Sequence, residues 1–133
     1  MPFVSERFVF DYAVVRVVPR VERGEFVNAG VIVFSPTNGF LESRIELPHE
    51  RLLALAPAID IPTVEEYLAS IPRICAGGDE AGPIGALPQR ARFHWLVAPR
   101  STIIQTSDVH SGVHADPHTA LESLFEKLVR MPK

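Results

Sequence analysis

Residues 8 to 18 read Phe-Val-Phe-Asp-Tyr-Ala-Val-Val-Arg-Val-Val, a β-branched and aromatic run closed by Pro19, which predicts a first strand. Alternation puts Phe10, Tyr12, Val14, Arg16 and Val18 on one face, so Arg16 sits among large apolar neighbours. The charged segment 19 to 24 ends in glycine and predicts a hairpin connection to a second strand over 25 to 35. In that strand Phe26, Asn28, Gly30, Ile32 and Phe34 are expected on a common face. Pro36-Thr37-Asn38-Gly39 is a turn signal, and residues 40 to 47 then alternate Leu41, Ser43, Ile45 and Leu47 against Phe40, Glu42, Arg44 and Glu46. This predicts a third strand with one face mostly wet.

Two helices are predicted next. Pro48 precedes Leu52, Leu53 and Leu55, giving a short helix over 48 to 56. After Ile61-Pro62, Thr63 and Glu66 have capping-box spacing, and Val64, Tyr67, Leu68, Ile71, Ile74 and Cys75 share one helical stripe that Pro72 should kink. Residues 76 to 92 hold four of the eight glycines and two prolines, which predicts a loop. Residues 92 to 98 and 102 to 109 read as a closing pair of strands. Asp116-Pro117 is a helix cap and first residue, followed by an apolar stripe of Leu121, Leu124, Phe125 and Leu128. The order βββααββα predicts an α+β fold, a mainly antiparallel sheet with the helices on one face.

Length and composition narrow this further. The 133 residues, 47% hydrophobic and 22% charged, suit one globular domain over 1 to 133 and exclude bulk disorder. Residues 1 to 7 lack a basic start leading into an apolar stretch, which predicts a cytoplasmic protein without a secretory signal. The apolar region 8 to 18, interrupted by Asp11 and Arg16, is far shorter than the ~18 residues of a spanning helix, so no membrane segment is expected. A net charge of -3 argues against a nucleic-acid binder. Eleven of the thirteen basic residues are arginine, which fits either anion recognition or a GC-rich codon bias.

The hairpin run Phe10-Asp11-Tyr12-Ala13-Val14-Val15-Arg16-Val17-Val18-Pro19 and Gly24-Glu25-Phe26-Val27-Asn28-Ala29-Gly30-Val31-Ile32-Val33-Phe34 resembles the opening of the bacterial domain-of-unknown-function family 3037. Ile71-Pro72-Arg73-Ile74-Cys75-Ala76-Gly77-Gly78, Phe93-His94-Trp95-Leu96 and the run from Ala98 to Thr106 are similar to one branch of it. The resemblance covers nearly the whole chain, with Ala29 standing where a branched residue is expected. It implies no established activity. Members can be encoded beside HipA-like kinases, so the resemblance implies an accessory role with such a kinase as protein partner.

Candidate chemistry concentrates in two places. Arg16, Glu25 and Asn28 lie on the hairpin, with Arg16 expected opposite Phe26 or Asn28. A guanidinium on an apolar face costs free energy unless it is paired, so either Glu25 or a later carboxylate, or an anionic ligand, should satisfy it. The second place is Arg100, Ser101, Gln105 and Thr106, dense in polar groups beside Arg90 and Arg92, which could hold a phosphate or carboxylate or form a polar edge strand. His110, His114 and His118 recur every four residues, but Gly112 and Pro117 break the helix that would align them, so no metal site is expected. Cys75 reads as a small buried apolar residue, and no cofactor motif is found. The expected function is a non-catalytic binding or accessory module for a protein partner or small anionic ligand. The alternative is a small hydrolase or nuclease using the same polar residues, in which Ser101 would need a base brought from elsewhere in the chain.

Overall fold

A computed structural model describes residues 7–130. The N-terminal segment read for a leader therefore lies, apart from Arg7, outside the described residues. Five strands, β1 (Phe8–Val17), β2 (Val27–Ser35), β3 (Phe40–Ile45), β4 (Ile104–Thr106) and β5 (His110–His114), form one antiparallel sheet. Its order is β3-β2-β1-β4, and β5 pairs with the N-terminal half of β1. The helices are α1 (His49–Leu55), α2 (Ile61–Ala76), α3 (Gln89–Val97) and α4 (Pro117–Leu128). The α+β class expected from the pattern is thus observed, and no helix among the described residues is long and apolar enough to cross a membrane.

The helices cover both faces of the sheet, where one face was expected. On one side Val15, Val17, Ile32, Phe34 and Leu41 pack with Leu52 of α1, Val64, Leu68 and Ile71 of α2, and Phe93 and Leu96 of α3. On the other, Phe10, Val31 and Val33 pack with Ala120, Leu121 and Phe125 of α4. Every residue from Val31 to Ser35 is buried, as a strand between two apolar layers requires. The face of β3 expected to be mostly wet keeps Glu42 and Glu46 exposed but also meets α4: Arg44 is ion-paired to Glu122 and sits 4.7 Å from the Phe125 ring, and Glu46 bonds Arg130 at 2.8 Å. In α4 the stripe closes through Phe125, with Leu124 only partly buried.

A β-bulge decides which side chains share a face. The register runs Val15↔Gly30 and then Arg16↔Asn28, leaving Ala29 unpaired on β2. The extra residue reverses the alternation, so Val27 and Ala29 join Ile32 and Phe34 in the larger core, while Phe26 and Asn28 turn to the α4 side. Gly30 is therefore not on the Asn28 face. It lies where a Cβ would come 2.5 Å from Ile45 Cδ1 and 2.7 Å from the Arg44 carbonyl, a close approach only glycine allows.

The segment from 76 to 98 departs most from expectation. Residues Asp79–Ala86 wind as 3-10 turns, and the stretch expected as a strand over 92 to 98 belongs to α3. Phe93 and Leu96, three apart, form the buried stripe of that helix together with Arg92, whose charge hid the period. The strand expected over 102 to 109 is reduced to β4, and His110 and His114 stand on β5. At the start of α2 the cap is Asp60, not a Thr63–Glu66 box: its carboxylate accepts from the Thr63 hydroxyl at 2.7 Å and the Thr63 amide at 3.5 Å. The helix runs on through Pro72.

Candidate functional site

A groove of about 610 Å³ opens between α2, α3 and the strand edge of β4. Helix α2 turns its apolar stripe of Val64, Leu68 and Ile71 into the core, which leaves Glu66, Tyr67, Ser70 and Arg73 on its other side, facing the groove. Tyr67, expected on the buried stripe, is 51% exposed. The end of α3 adds Trp95, 41% exposed, and Leu96. After α3 the chain turns back at Pro99, and Arg100 folds over Trp95 with its guanidinium carbon 4.3 Å from the ring centre. The same guanidinium donates to the Trp95 carbonyl and, at 3.4 Å, to the Leu96 carbonyl. Both carbonyls lie in the last turn of α3, where backbone acceptors have no helical donor and a cation is favoured.

The strand edge completes the groove. Thr102, Ile103, Ile104, Gln105 and Thr106 all line it, residues of both parities. A strand seen from one face shows alternate residues, so β4 meets the groove with its edge. Two local bonds shape that edge: the Thr102 hydroxyl donates to the Ile104 carbonyl at 2.8 Å, and the Gln105 carboxamide donates to the Thr102 carbonyl at 2.9 Å. The charged groups lining the groove are Arg73, Arg100 and Glu66. A cationic rim around an apolar floor can hold an anionic group beside a flat apolar body.

The residues singled out from sequence separate into three groups. Arg100, Gln105 and Thr106 line the groove, and Ser101 is exposed beside them without lining it. Arg92, expected with them as an exposed cation, is only 9% exposed and holds the C-terminal end of α2. It donates to the carbonyls of Ile74 (2.9 Å), Cys75 (2.7 Å) and Leu87 (2.9 Å). Gly77, at φ +76°, makes room for it, since a Cβ there would stand 3.0 Å from the guanidinium carbon. Arg92 thus stabilises the fold and takes no part in the groove.

The hairpin set is only partly assembled. Arg16 is register partner to Asn28, one of the two residues expected there, and its guanidinium carbon lies 4.2 Å from the Phe26 ring centre. Glu25, however, pairs with Arg23 at 2.7 Å on the surface and is not the partner of Arg16. Among the described residues Arg16 has no carboxylate within ion-pair reach, and its Nε and the Asn28 Oδ1 are buried without hydrogen bonds. The Asn28 amide donates to the Leu128 carbonyl at the end of α4, 2.9 Å away, so this face lies apart from the groove, on the α4 side of the sheet.

The histidines have local structural partners. His110 packs on Tyr12 with ring centres 5.4 Å apart, and His114 Nδ1 accepts from the Asp116 amide at 3.0 Å. Asp116 caps α4, its carboxyl held below the ordinary carboxylate range by the hydroxyl of Thr119 and the amides of His118 and Thr119. No group of three or more metal-ligating side chains occurs among the described residues. Burial pushes the Cys75 thiol up to about 11, which keeps it un-ionised near neutral pH. Tyr67, Trp95 and Arg73 are among the lining residues that sequence reasoning missed. The available signal was a tyrosine and a lone tryptophan, large aromatics that lie off the buried stripes of their helices.

With three helices on one face of the sheet and one on the other, the molecule falls among α+β proteins built on a single antiparallel sheet. Within that class the chain belongs to the family described as "Protein of unknown function (DUF3037)", whose model matches residues 12–129. This is the family that the hairpin residues resemble. No curated protein and no solved structure matches the chain.

Proposed function

We propose that this protein is a non-catalytic binding module whose α2–α3–β4 groove takes a ligand with an anionic group and a flat apolar body. The observation that carries this reading is the pair of half-exposed aromatics, Tyr67 and Trp95, lining an open groove rimmed by Arg73 and Arg100. Its volume of about 610 Å³ lies within the roughly 300 to 1,000 Å³ of ligand pockets. Large aromatics kept in contact with water lose hydrophobic stabilisation that an occupant would restore. Arg100, already stacked on Trp95, is oriented before a ligand arrives, so less side-chain entropy is lost on binding. The lining has one carboxylate, Glu66, and no histidine or cysteine, so Ser70 has no histidine base with an orienting acid behind it. This disfavours the hydrolase alternative.

Trp95 is the single tryptophan, so its emission reports on the groove alone. Titration with anilinonaphthalene sulfonate, a flat anion, should change that emission saturably, with binding weakened by salt. The uncharged parent amine should bind more weakly, and the Arg73→Ala/Arg100→Ala double variant should lose most of the affinity for the anion. Equal affinity of the double variant and the parent protein for the anion would overturn the reading.

A further inference from the structure

We infer that the natural occupant of this groove is an extended, acidic peptide segment that adds to the sheet as a further strand along β4; the inference rests on the groove reading above. It starts from the backbone of β4. The Val18 amide donates to the Ile103 carbonyl at 2.7 Å and the Ser107 amide donates to the Val14 carbonyl at 2.9 Å. In an antiparallel ladder hydrogen-bonded pairs alternate with non-bonded ones, so Gln105, opposite Arg16, directs both its backbone groups to β1. Ile104 and Thr106 then direct theirs outward, into the groove.

These outward groups are two residues apart, the repeat with which an incoming strand offers its own amides and carbonyls. The Ile104 carbonyl already accepts from the Thr102 hydroxyl, leaving one lone pair, whereas the amides of Ile104 and Thr106 and the Thr106 carbonyl have no partner beyond the strand among the described residues. Free edges are usually blunted by lysine, proline, an inward charge or shortness; Ile104-Gln105-Thr106 carries none of the first three, and its three residues leave two outward-directed positions for a partner strand. The opposite edge strand, β3, lies against α2 and α4. An added strand would place alternate side chains against Tyr67 and Trp95, and a carboxylate among them would meet Arg73 or Arg100, against a single opposing Glu66. A small molecule would use the aromatic walls and the arginines but would leave the row of backbone groups unpaired. That row favours a peptide.

The test uses peptides selected from a phage-displayed library of random linear sequences against the full chain, then synthesised and titrated by Trp95 emission. Selected peptides should carry alternating apolar residues and at least one carboxylate. Their binding should slow amide exchange at Ile104 and Thr106, while Gln105 stays protected with or without peptide and anilinonaphthalene sulfonate leaves all three unchanged. Thr106→Pro removes an outward donor that β1 does not use, so it should weaken the peptides about tenfold, the worth of roughly one hydrogen bond. Exchange decides the matter even if that variant folds poorly. Peptides that bind without protecting Ile104 and Thr106 would overturn strand addition and leave the groove reading standing. Failure to enrich any peptide over the Arg73→Ala/Arg100→Ala protein, while the dye still binds, would overturn the peptide occupant. If the dye fails as well, the groove reading falls with it.

Discussion

Replacing Arg92 by leucine removes one side chain and orphans three carbonyls, those of Ile74, Cys75 and Leu87. The first two belong to the last turn of α2, which has no helical donors for them, and the guanidinium also opposes the negative end of that helix. An unsatisfied buried acceptor costs about 1 to 3 kcal/mol, and the low end applies here because the end of α2 adjoins the exposed Gly78, where water can reach it. Three acceptors at about 1 kcal/mol each give a loss of about 3 kcal/mol, a large share of the roughly 5 to 15 kcal/mol that holds a domain of this size. With a urea slope of about 1.5 kcal/mol/M, the midpoint should fall by about 2 M. Arg92→Lys keeps the charge but not the fork, and should lose about half as much. A midpoint for Arg92→Leu within about 0.5 M of the parent would show that the guanidinium does not hold the end of α2, and the account of the 76 to 98 segment would fail with it.

Gly30→Ala should cost about 1 to 3 kcal/mol, since its Cβ would stand 2.7 Å from the Arg44 carbonyl, part of a paired strand that cannot swing aside; an unchanged thermal midpoint would refute the close approach. Arg16→Met should change stability by less than about 1 kcal/mol, because the stacking on half-exposed Phe26 contributes little and the side chain has no ion-pair partner among the described residues. A loss above about 3 kcal/mol in urea unfolding would instead reveal a buried charge partner. Glu46 and Glu122 are held below the ordinary carboxylate value of 4.5, chiefly by hydrogen bonds from Arg130 and Arg44. A depressed folded-state pKa contributes stability above the unfolded value and loses it as pH falls through the folded one. The stability gap between the parent and the Glu46→Gln/Glu122→Gln variant should therefore be constant near neutral pH and close as pH drops below 4.5; a gap independent of pH would refute the pairing of α4 to β3.

Much of the framework was legible because its signals are local. The strands β1 and β2 announce themselves by β-branched runs, α4 by Asp116-Pro117 and its stripe, and α1 by its leucines. The hairpin pattern even narrowed the residue opposite Arg16 to Phe26 or Asn28, and the ladder takes Asn28. Where the reading failed, the deciding contact lay far along the chain. Residues 92 to 98 look strand-like while Arg92 counts as a surface charge, and all but Ala98 belong to α3 once the carbonyls of Ile74 and Cys75 are there to receive that charge.

Face assignment failed for a related reason. Strict alternation assigns a face to every residue of β2, but one unpaired residue at Ala29 reverses it, and only the pairing with β1 shows where the extra residue is taken up. The continuous run Val31-Ile32-Val33-Phe34 did carry the information that both faces of β2 are buried, though not which helices bury them. The groove was half visible: Arg100, Gln105 and Thr106 stand together in sequence, whereas Tyr67 and Arg73 come from a helix about thirty residues earlier. Period, caps and turn residues determine which elements form, because their free energies depend on neighbours within a few residues. Which faces meet, and whether an arginine is a surface charge or a helix clamp, depends on burial between segments distant in sequence, and only the closed tertiary structure decides that.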